Sequence, residues 1–316
     1  MRAPLVVLFG PTASGKTKIV SELFSARGPF PGEVVSADSM QVYKGMNIGT
    51  AKPSDEERRL VPHHLIDVCF PNEQFTAGDF VRLADSAVKD ITARSLLPVL
   101  SGGTGFYLKN FIQGLPEAPP SDAGLRTALK MELQKRGAQA LADELAQGDP
   151  ESAERIHIHD EYRLLRAVEV LRLTGRPLSS FSWKQVNRPE YQFLIIGLRT
   201  EREALYRRIN ERCARMFASG LPSEVKGLFK QGYSPRDPGI RAIGYREFFA
   251  EDESGDYRFL EDEAGVQALV AQNSRRYAKR QVCFFSSLPD AAWVDADDKP
   301  VEGIKRLIEA WLGRFR

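Results

Sequence analysis

The most specific chemistry in the chain lies near its amino terminus, in Gly10-Pro11-Thr12-Ala13-Ser14-Gly15-Lys16-Thr17, which matches G-x-x-x-x-G-K-[ST]. Glycines let such a backbone fold into a concave nest whose N–H groups converge on phosphate oxygens. A helix starting at its end adds a partial positive charge. Lys16 supplies a mobile cation for a terminal phosphate, and Thr17 a hydroxyl placed to ligate magnesium. The pattern needs a strand before it and a helix after it. Leu5-Val6-Val7-Leu8-Phe9 is a short apolar run of the kind that makes a buried parallel strand. Ile19, Val20, Leu23 and Phe24 share one face of a helix beginning near Gly15. The loop therefore reads as a grip for a di- or triphosphate, and leaves open which molecule carries it.

The usual partners of such a loop narrow the choice. No N-K-x-D guanine motif occurs, which weighs against a GTPase. The strand expected at Leu96-Leu97-Pro98-Val99-Leu100 runs into a second glycine-rich turn, Ser101-Gly102-Gly103-Thr104-Gly105, where an ATPase would carry an aspartate. Asp38 ends the apolar run Glu33-Val34-Val35-Ser36-Ala37. Open α/β sheets place ligands at the carboxyl ends of their strands, so Asp38 is expected beside the loop. A small-molecule kinase that consumes ATP, and a nucleic-acid-binding module that uses nucleotide as a switch, both remain open on these residues alone.

Alternating strand and helix patterns over the first hundred or so residues argue for a doubly wound α/β core. The Pro- and Gly-rich stretch Gly114 to Ser121 interrupts both periodicities, and from Asp122 to Gly175 the chain reads as helix after helix. Strand character returns at Phe193-Leu194-Ile195-Ile196-Gly197-Leu198. The expected architecture is α/β, with a parallel sheet like that of P-loop NTPases formed by residues 1–113 and 190–316 and an all-helical domain inserted at 114–189. The acidic stretch Glu251 to Glu263 reads as a surface turn or helix.

At 316 residues, with 42% hydrophobic and 27% charged, the chain has the length and composition of about two ordinary globular domains. No apolar run approaches the ~18 residues that cross a bilayer, and nothing in the sequence directs export, so a cytoplasmic protein is expected; a monomer is expected as well. Cys69, Cys213 and Cys283 are scattered, as reduced, buried thiols would be. A net charge of +2 does not announce nucleic acid, but Arg202, Arg207, Arg208, Arg212 and Arg215 cluster, as do Arg275, Arg276, Lys279 and Arg280. Patches of this kind can track a phosphate backbone or be solvated faces.

One longer motif is far more specific than the loop. Asp38-Ser39-Met40-Gln41-Val42-Tyr43-Lys44-Gly45-Met46-Asn47-Ile48-Gly49-Thr50-Ala51-Lys52-Pro53 resembles the segment that follows the P-loop in tRNA dimethylallyltransferases, also called tRNA isopentenyltransferases or the IPP transferase family. His63 to Asp67, Gly102 to Gly105, Gly239 to Glu247 and Arg275 to Gln281 resemble the family too, in its order and across nearly the whole chain. The resemblance implies transfer of the dimethylallyl group of dimethylallyl diphosphate to the exocyclic amine of the adenosine 3′ to the anticodon. The loop would then hold a leaving group, and no phosphoryl group would move. Asp38 would accept the amine proton, Arg212 and Thr17 would act on the diphosphate with Mg2+, and residues Gly10 to Thr17 would bind it. The anticodon stem-loop of tRNA would meet Asp38, Ser39, Met40, Gln41, Thr104, Arg126, Tyr162, Arg163, Leu164, Leu165, Arg166, Arg241, Ala242, Ile243, Gly244, Tyr245 and Arg246.

Helical geometry bears on Arg212. Leu205, Ile209, Cys213, Met216 and Phe217 form an apolar stripe, and Arg212 sits at its edge, one turn after Arg208. His63, His64 and Asp67 could suggest a metal site, but no third ligand is evident at a fitting spacing, and packing or capping is expected instead. His157 and His159 are expected at the surface. Where the family continues with a tryptophan and later an arginine, this chain has Cys283-Phe284-Phe285-Ser286, which keeps an aromatic at Phe284 and loses a charge at Ser286.

Overall fold

The computed structural model describes residues 2–115, 117–181, 188–288 and 290–315. Pro116 of the expected linker and residues 182–187 of the expected 114–189 insertion lie outside the described residues. The chain divides into two compact units, Met1–Ile112 with Arg188–Arg316, and Gln113–Asn187.

The first unit is built on a six-stranded sheet of order β3-β2-β4-β1-β5-β8, with every pairing parallel. Its strands are β1 (Ala3–Phe9), β2 (Gly32–Ser36), β3 (His63–His64), β4 (Leu97–Gly102), β5 (Tyr191–Arg199) and, after a small hairpin of β6 (Phe249–Glu251) with β7 (Tyr257–Phe259), β8 (Ala292–Asp295). The helices of this unit are α1 (Lys16–Phe24), α2 (Asp55–Leu60), α3 (Ala77–Ala93) and α4 (Gly105–Gln113), followed after the insertion by α8 (Arg202–Ala218), α9 (Leu221–Lys230), α10 (Glu263–Phe285) and α11 (Pro300–Leu312). The insertion supplies α5 (Ala123–Gly148), α6 (Pro150–Arg155) and α7 (Glu161–Thr174).

Strand alternation explains why the central strand reads as unbroken hydrophobicity. Leu5, Val7 and Phe9 pack on one face against Phe80, Val88 and Ile91 of α3 and Leu108 and Phe111 of α4. Val6 and Leu8 pack on the other against Ile19, Leu23 and Phe24 of α1 and Ile304 and Ile308 of α11. With both faces covered, every position must be apolar, and each such side chain contributes about 1.5–3 kcal/mol of burial. The loops that matter leave the carboxyl ends of β1, β2 and β4. A third cluster packs α8, α9 and α10 with residues of the segment after Asp38, among them Val42, Tyr43 and Met46, and with Ile240, Tyr245 and Phe248.

In the second unit, Leu129, Leu141 and Leu145 of α5 meet Leu164, Leu165 and Val168 of α7. Helix α5 is broken at Gly137, whose φ of 77° only glycine adopts without strain.

Two expectations change, and a third, packing or capping for the histidine pair, takes the form of strand pairing. The acidic stretch 251–263 is a hairpin arm and turn followed by the start of α10, because Tyr257 and Phe259 alternate with Arg258 and the Asp252 carboxylate takes the Ser254 and Asp256 amides at 2.9 and 3.0 Å. His63 and His64 form a two-residue edge strand on Val34 and Val35. Cys69 and Cys213 are buried, but Cys283 is exposed on α10, where the helix turns it away from the Phe285 side.

Candidate active site

Helix α1 starts without a side-chain cap. Its N-cap is Gly15, at φ 85°, and no side chain accepts from the first turn. The contrast with α2 and α3 is direct, since both carry capping boxes, Ser54 with Glu57 and Thr76 with Asp79. An uncapped first turn after a glycine loop leaves amides free for an anion. Lys16 folds back so that its Nζ donates to the carbonyls of Gly10 at 2.8 Å and Pro11 at 3.0 Å. The residue as a whole is half-buried, but its amine is enclosed. Burial, helped by repulsion from Arg212 and opposed by Asp38, pulls it down to about 8.

Asp38 follows β2, as expected, and its Oδ1 accepts from the amides of Met40 at 2.9 Å and Gln41 at 3.3 Å. That short turn holds one carboxylate oxygen. The strand-end turn after β4 lies alongside. Gly102 is required there because a Cβ would come within 2.1 Å of the Ala37 carbonyl oxygen. Thr104 donates its amide to Ala37 at 3.0 Å, and its Oγ1 accepts from the Ser39 amide at 2.9 Å, so both neighbours of Asp38 are tied to it.

Arg212, from α8, lines the same cavity, and among the described residues no carboxylate pairs with it within ion-pair distance. Burial lowers its pKa from the ordinary arginine value and Asp38 opposes that shift. Arg208, one turn earlier, is instead paired with Asp297. The cavity is about 650 Å³ and is lined by Thr12 to Thr17, Asp38 to Gln41, Gly102 and Gly103. Its walls also include Arg212, Arg241 to Ile243, and Tyr277. No group of three His, Cys, Asp or Glu side chains able to hold a metal occurs among the described residues. The oxygen donors lining the cavity include the Thr17 hydroxyl and the Asp38 and Glu211 carboxylates. They suit a hard cation such as Mg2+ that keeps waters and takes further ligands from a bound diphosphate.

The residues drawn from the resemblance separate into groups. Arg241 and Arg246 are exposed, and Arg241 is steadied by the carbonyls of Pro235 and Arg236, both at 3.1 Å. Tyr245 is fully buried, and its hydroxyl donates to Glu224 at 2.6 Å, so its side chain cannot reach a nucleic acid. Glu224 also takes the amides of Asn47, Ile48 and Gly49, which makes Tyr245 a brace for the long motif after Asp38. In the insertion, Leu164 and Leu165 are core residues, again a correction for their side chains. Tyr162 and Arg163 are exposed, and the Arg126 guanidinium lies over the Tyr162 ring at 5.0 Å. Arg126 and Arg166 are both drawn to the buried Glu169, at 3.3 and 2.9 Å.

The histidine pair has other work than metal binding. His64 Nε2 lies 2.7 Å from Glu33, which Arg94 also grips. The hydrogen bond from Arg94, against burial and with help from His64, holds that carboxyl at about 2. His63 donates Nδ1–H to the Val61 carbonyl at 2.7 Å, and Asp67 pairs with Lys52 at 2.6 Å. His157 and His159 are exposed.

Two site residues were not singled out by sequence reasoning. Gln281 accepts from the Thr12 amide at 3.0 Å and donates to the Gly103 carbonyl at 2.7 Å. Tyr277 lines the cavity, and burial, with Asp38 adding and the nearby Thr104 and Gln281 side chains opposing, pushes the phenol up to about 12. Both fall inside the motif Arg275 to Gln281, one helical turn apart, a spacing that marks a shared face. The basic residues of that motif do not act together. Arg275 turns to Asn210 at 2.5 Å, while Arg280 lines the cavity. Phe284, the retained aromatic, lies against Gly105, where a Cβ would meet its ring at 2.3 Å. Ser286 caps the helix end through the Cys283 carbonyl at 2.7 Å.

Comparison with known proteins adds an independent line. A family model described as IPP transferase matches residues 41–288. The chain is 47% identical over 295 residues to a protein of Geobacter sulfurreducens named tRNA dimethylallyltransferase, covering 93% of this chain and 92% of that one. A protein of the same name from Geobacillus kaustophilus is 44% identical, with 99% and 98% covered. Among solved structures, the tRNA isopentenylpyrophosphate transferase of Bacillus halodurans superposes with a TM-score of 0.70 at 38% identity, covering 99% of this chain and 98% of that one. A eukaryotic dimethylallyltransferase acting on tRNA, 24% identical over 99% of this chain and 80% of its own, has a TM-score of 0.82 and shares the fold.

Proposed function

Because this chain belongs to the IPP transferase family, we propose that it is a tRNA dimethylallyltransferase. The dimethylallyl group of dimethylallyl diphosphate passes to the exocyclic amine of the adenosine 3′ to the anticodon, and diphosphate leaves. The observation that carries this reading is the meeting, in one cavity, of an anion grip and a carboxylate: Lys16 and the uncapped start of α1 on one wall, Asp38 on another.

In that reaction the allylic C1–O bond breaks and its electron pair departs with the diphosphate. The amine nitrogen supplies the pair for the new C–N bond and its proton goes to Asp38. Negative charge grows on the leaving group, so fixed donors aimed at it lower the barrier. The loop amides, Lys16 and Arg212 are such donors. Thr17 would help to hold Mg2+, which would supply further charge neutralisation when bound. An aromatic amine is a weak nucleophile, and a carboxylate within hydrogen-bond reach contributes about 10²–10⁴-fold as general base. The target base has to leave its stack to enter the cavity, at a cost of a few kcal/mol.

Ser39, Met40, Gln41, Thr104 and the Arg241 to Arg246 turn would receive the anticodon loop, with Arg126, Tyr162, Arg163 and Arg166 of the insertion on the same RNA. The protein would work as a cytoplasmic monomer. The test is mass analysis of the anticodon loop of tRNA incubated with the protein, dimethylallyl diphosphate and Mg2+, with no nucleoside triphosphate present. A gain of one dimethylallyl group on the adenosine is expected. Consumption of triphosphate with unmodified RNA would replace this reading with a kinase.

A further inference from the structure

The two halves of the reaction stand on loops that the sheet alone does not lock together. The diphosphate grip follows β1, the carboxylate follows β2, and the Gly103-Thr104 turn follows β4. Strand pairing fixes their bases but not their tips. We propose that Gln281 is the positioning residue that sets the spacing between the leaving-group grip and the Asp38 base. This role rests on the prenyl-transfer reading above.

The connection is continuous. Thr12, within the grip, donates its amide to Gln281 Oε1 at 3.0 Å, and Gln281 Nε2 donates to the Gly103 carbonyl at 2.7 Å. The next residue, Thr104, holds Ala37 and Ser39, the neighbours of Asp38, at 3.0 and 2.9 Å. Gln281 is only 5% exposed, and a Cβ on Gly103 would come within 2.6 Å of its Nε2, so the junction has no slack. The glutamine amide offers an acceptor and a donor on two separate atoms of one planar group, whatever the pH. Glutamate cannot donate when ionised, methionine does neither, and asparagine is one methylene short.

The helix that carries Gln281 is itself held in register. Phe285 packs on Phe9 of β1 with ring centroids 4.8 Å apart, and Phe284 closes on Gly105 at the start of α4. Helix α10 therefore ties the grip to the base from outside the sheet. Displacing reacting atoms by about 1 Å costs about 100-fold in rate without removing any catalytic group.

The test compares Gln281→Met, Gln281→Glu and Gln281→Asn with wild type in the full chain. Single-turnover prenyl transfer is measured at saturating substrates, and binding of inorganic diphosphate and of unmodified tRNA is measured separately at equilibrium. A fall of about 100-fold in rate for the Met and Glu variants, with both affinities unchanged, is expected. A folded variant that turns over at the wild-type rate, or one whose whole loss lies in an affinity, overturns the role. Should Gln281→Met fail to fold, the near-isosteric Glu variant carries the same test. Wild-type protein assayed in parallel separates the two ideas. No product from it removes the prenyl-transfer reading, whereas product at equal rates from all variants removes only the part given to Gln281.

Discussion

Lys16 and Arg212 in the cleft are treated in the opposite way to Arg126, Arg166 and Arg172 in the helical insertion. In the insertion Arg126, Arg166 and Arg172 each have a carboxylate. The buried Glu169 takes Arg126 and Arg166 and also the Ser121 hydroxyl at 2.6 Å and the Asp122 amide at 2.9 Å, while Arg172 bridges Glu132 and Glu144 at 2.7 and 2.6 Å. In the cleft Lys16 rests on carbonyl oxygens, Arg212 has no carboxylate within ion-pair distance among the described residues, and α1 has no cap. Buried donors normally find partners, because leaving one unsatisfied costs about 1–3 kcal/mol or more. A charge cluster that satisfies itself holds its own fold together, and one that stops short of doing so is shaped for something absent from the chain.

The strongest way to break this contrast is to remove the carboxylate that faces the cleft's donors. Asp38→Asn keeps an oxygen for the Met40 and Gln41 amides, so tRNA affinity should hold while the single-turnover rate falls about 10²–10⁴-fold. Wild-type turnover in that variant would exclude Asp38 as the base. Next, Arg212→Met takes away a donor to the departing charge, and about 10²–10³-fold should be lost in the rate of transfer. A loss confined to tRNA binding would instead place Arg212 on the RNA.

The insertion should respond differently. Glu169→Ala strands two arginines and two further donors, and should lower stability to denaturant by about 2–3 kcal/mol, below the usual buried-pair value because both arginines keep some water. If unfolding were unchanged, the pairing would be incidental. The smallest effect concerns pH, and the two regions should fail at opposite ends of the scale. Lys16 is charged below about 8 and neutral above it. Donor affinity should be flat at lower pH and fall by up to about tenfold per unit above that value. Burial works to raise the Glu169 pKa, but hydrogen bonds from Ser121 and Arg166 outweigh it and hold the carboxyl below its ordinary value. Its contribution to stability is thus complete above the ordinary glutamate range and is lost only as pH drops through the lowered folded value. Titrations of donor binding and of thermal unfolding check the pair.

Much of the frame around the cleft could be read along the chain. The Gly10 to Thr17 loop, the strand ending before Asp38 and the Gly102 to Gly105 turn are each defined by a handful of consecutive residues. The edge position of Arg212 followed from helical periodicity alone. Reading failed where burial, not local pattern, decides a side chain's role. Tyr245 sits inside a motif that resembles the family, and Leu164 and Leu165 in a run that the resemblance implies meets RNA, yet all three face cores, and the 249–259 hairpin was hidden by its acidic turn. Gln281 lies in the Arg275 to Gln281 motif, among basic residues whose charge is the stronger signal.

Local geometry depends on neighbours a few residues away, so glycine spacing, strand alternation and helical stripes settle the loop, the sheet and the helices without help. Which side chains then meet is a matter of long-range packing. Gln281 reaches Thr12 across 269 positions and Glu224 reaches Asn47 across 177. No pattern along the chain encodes such pairs, because hydrogen-bond geometry exists only after α8, α9 and α10 have closed over the strand ends.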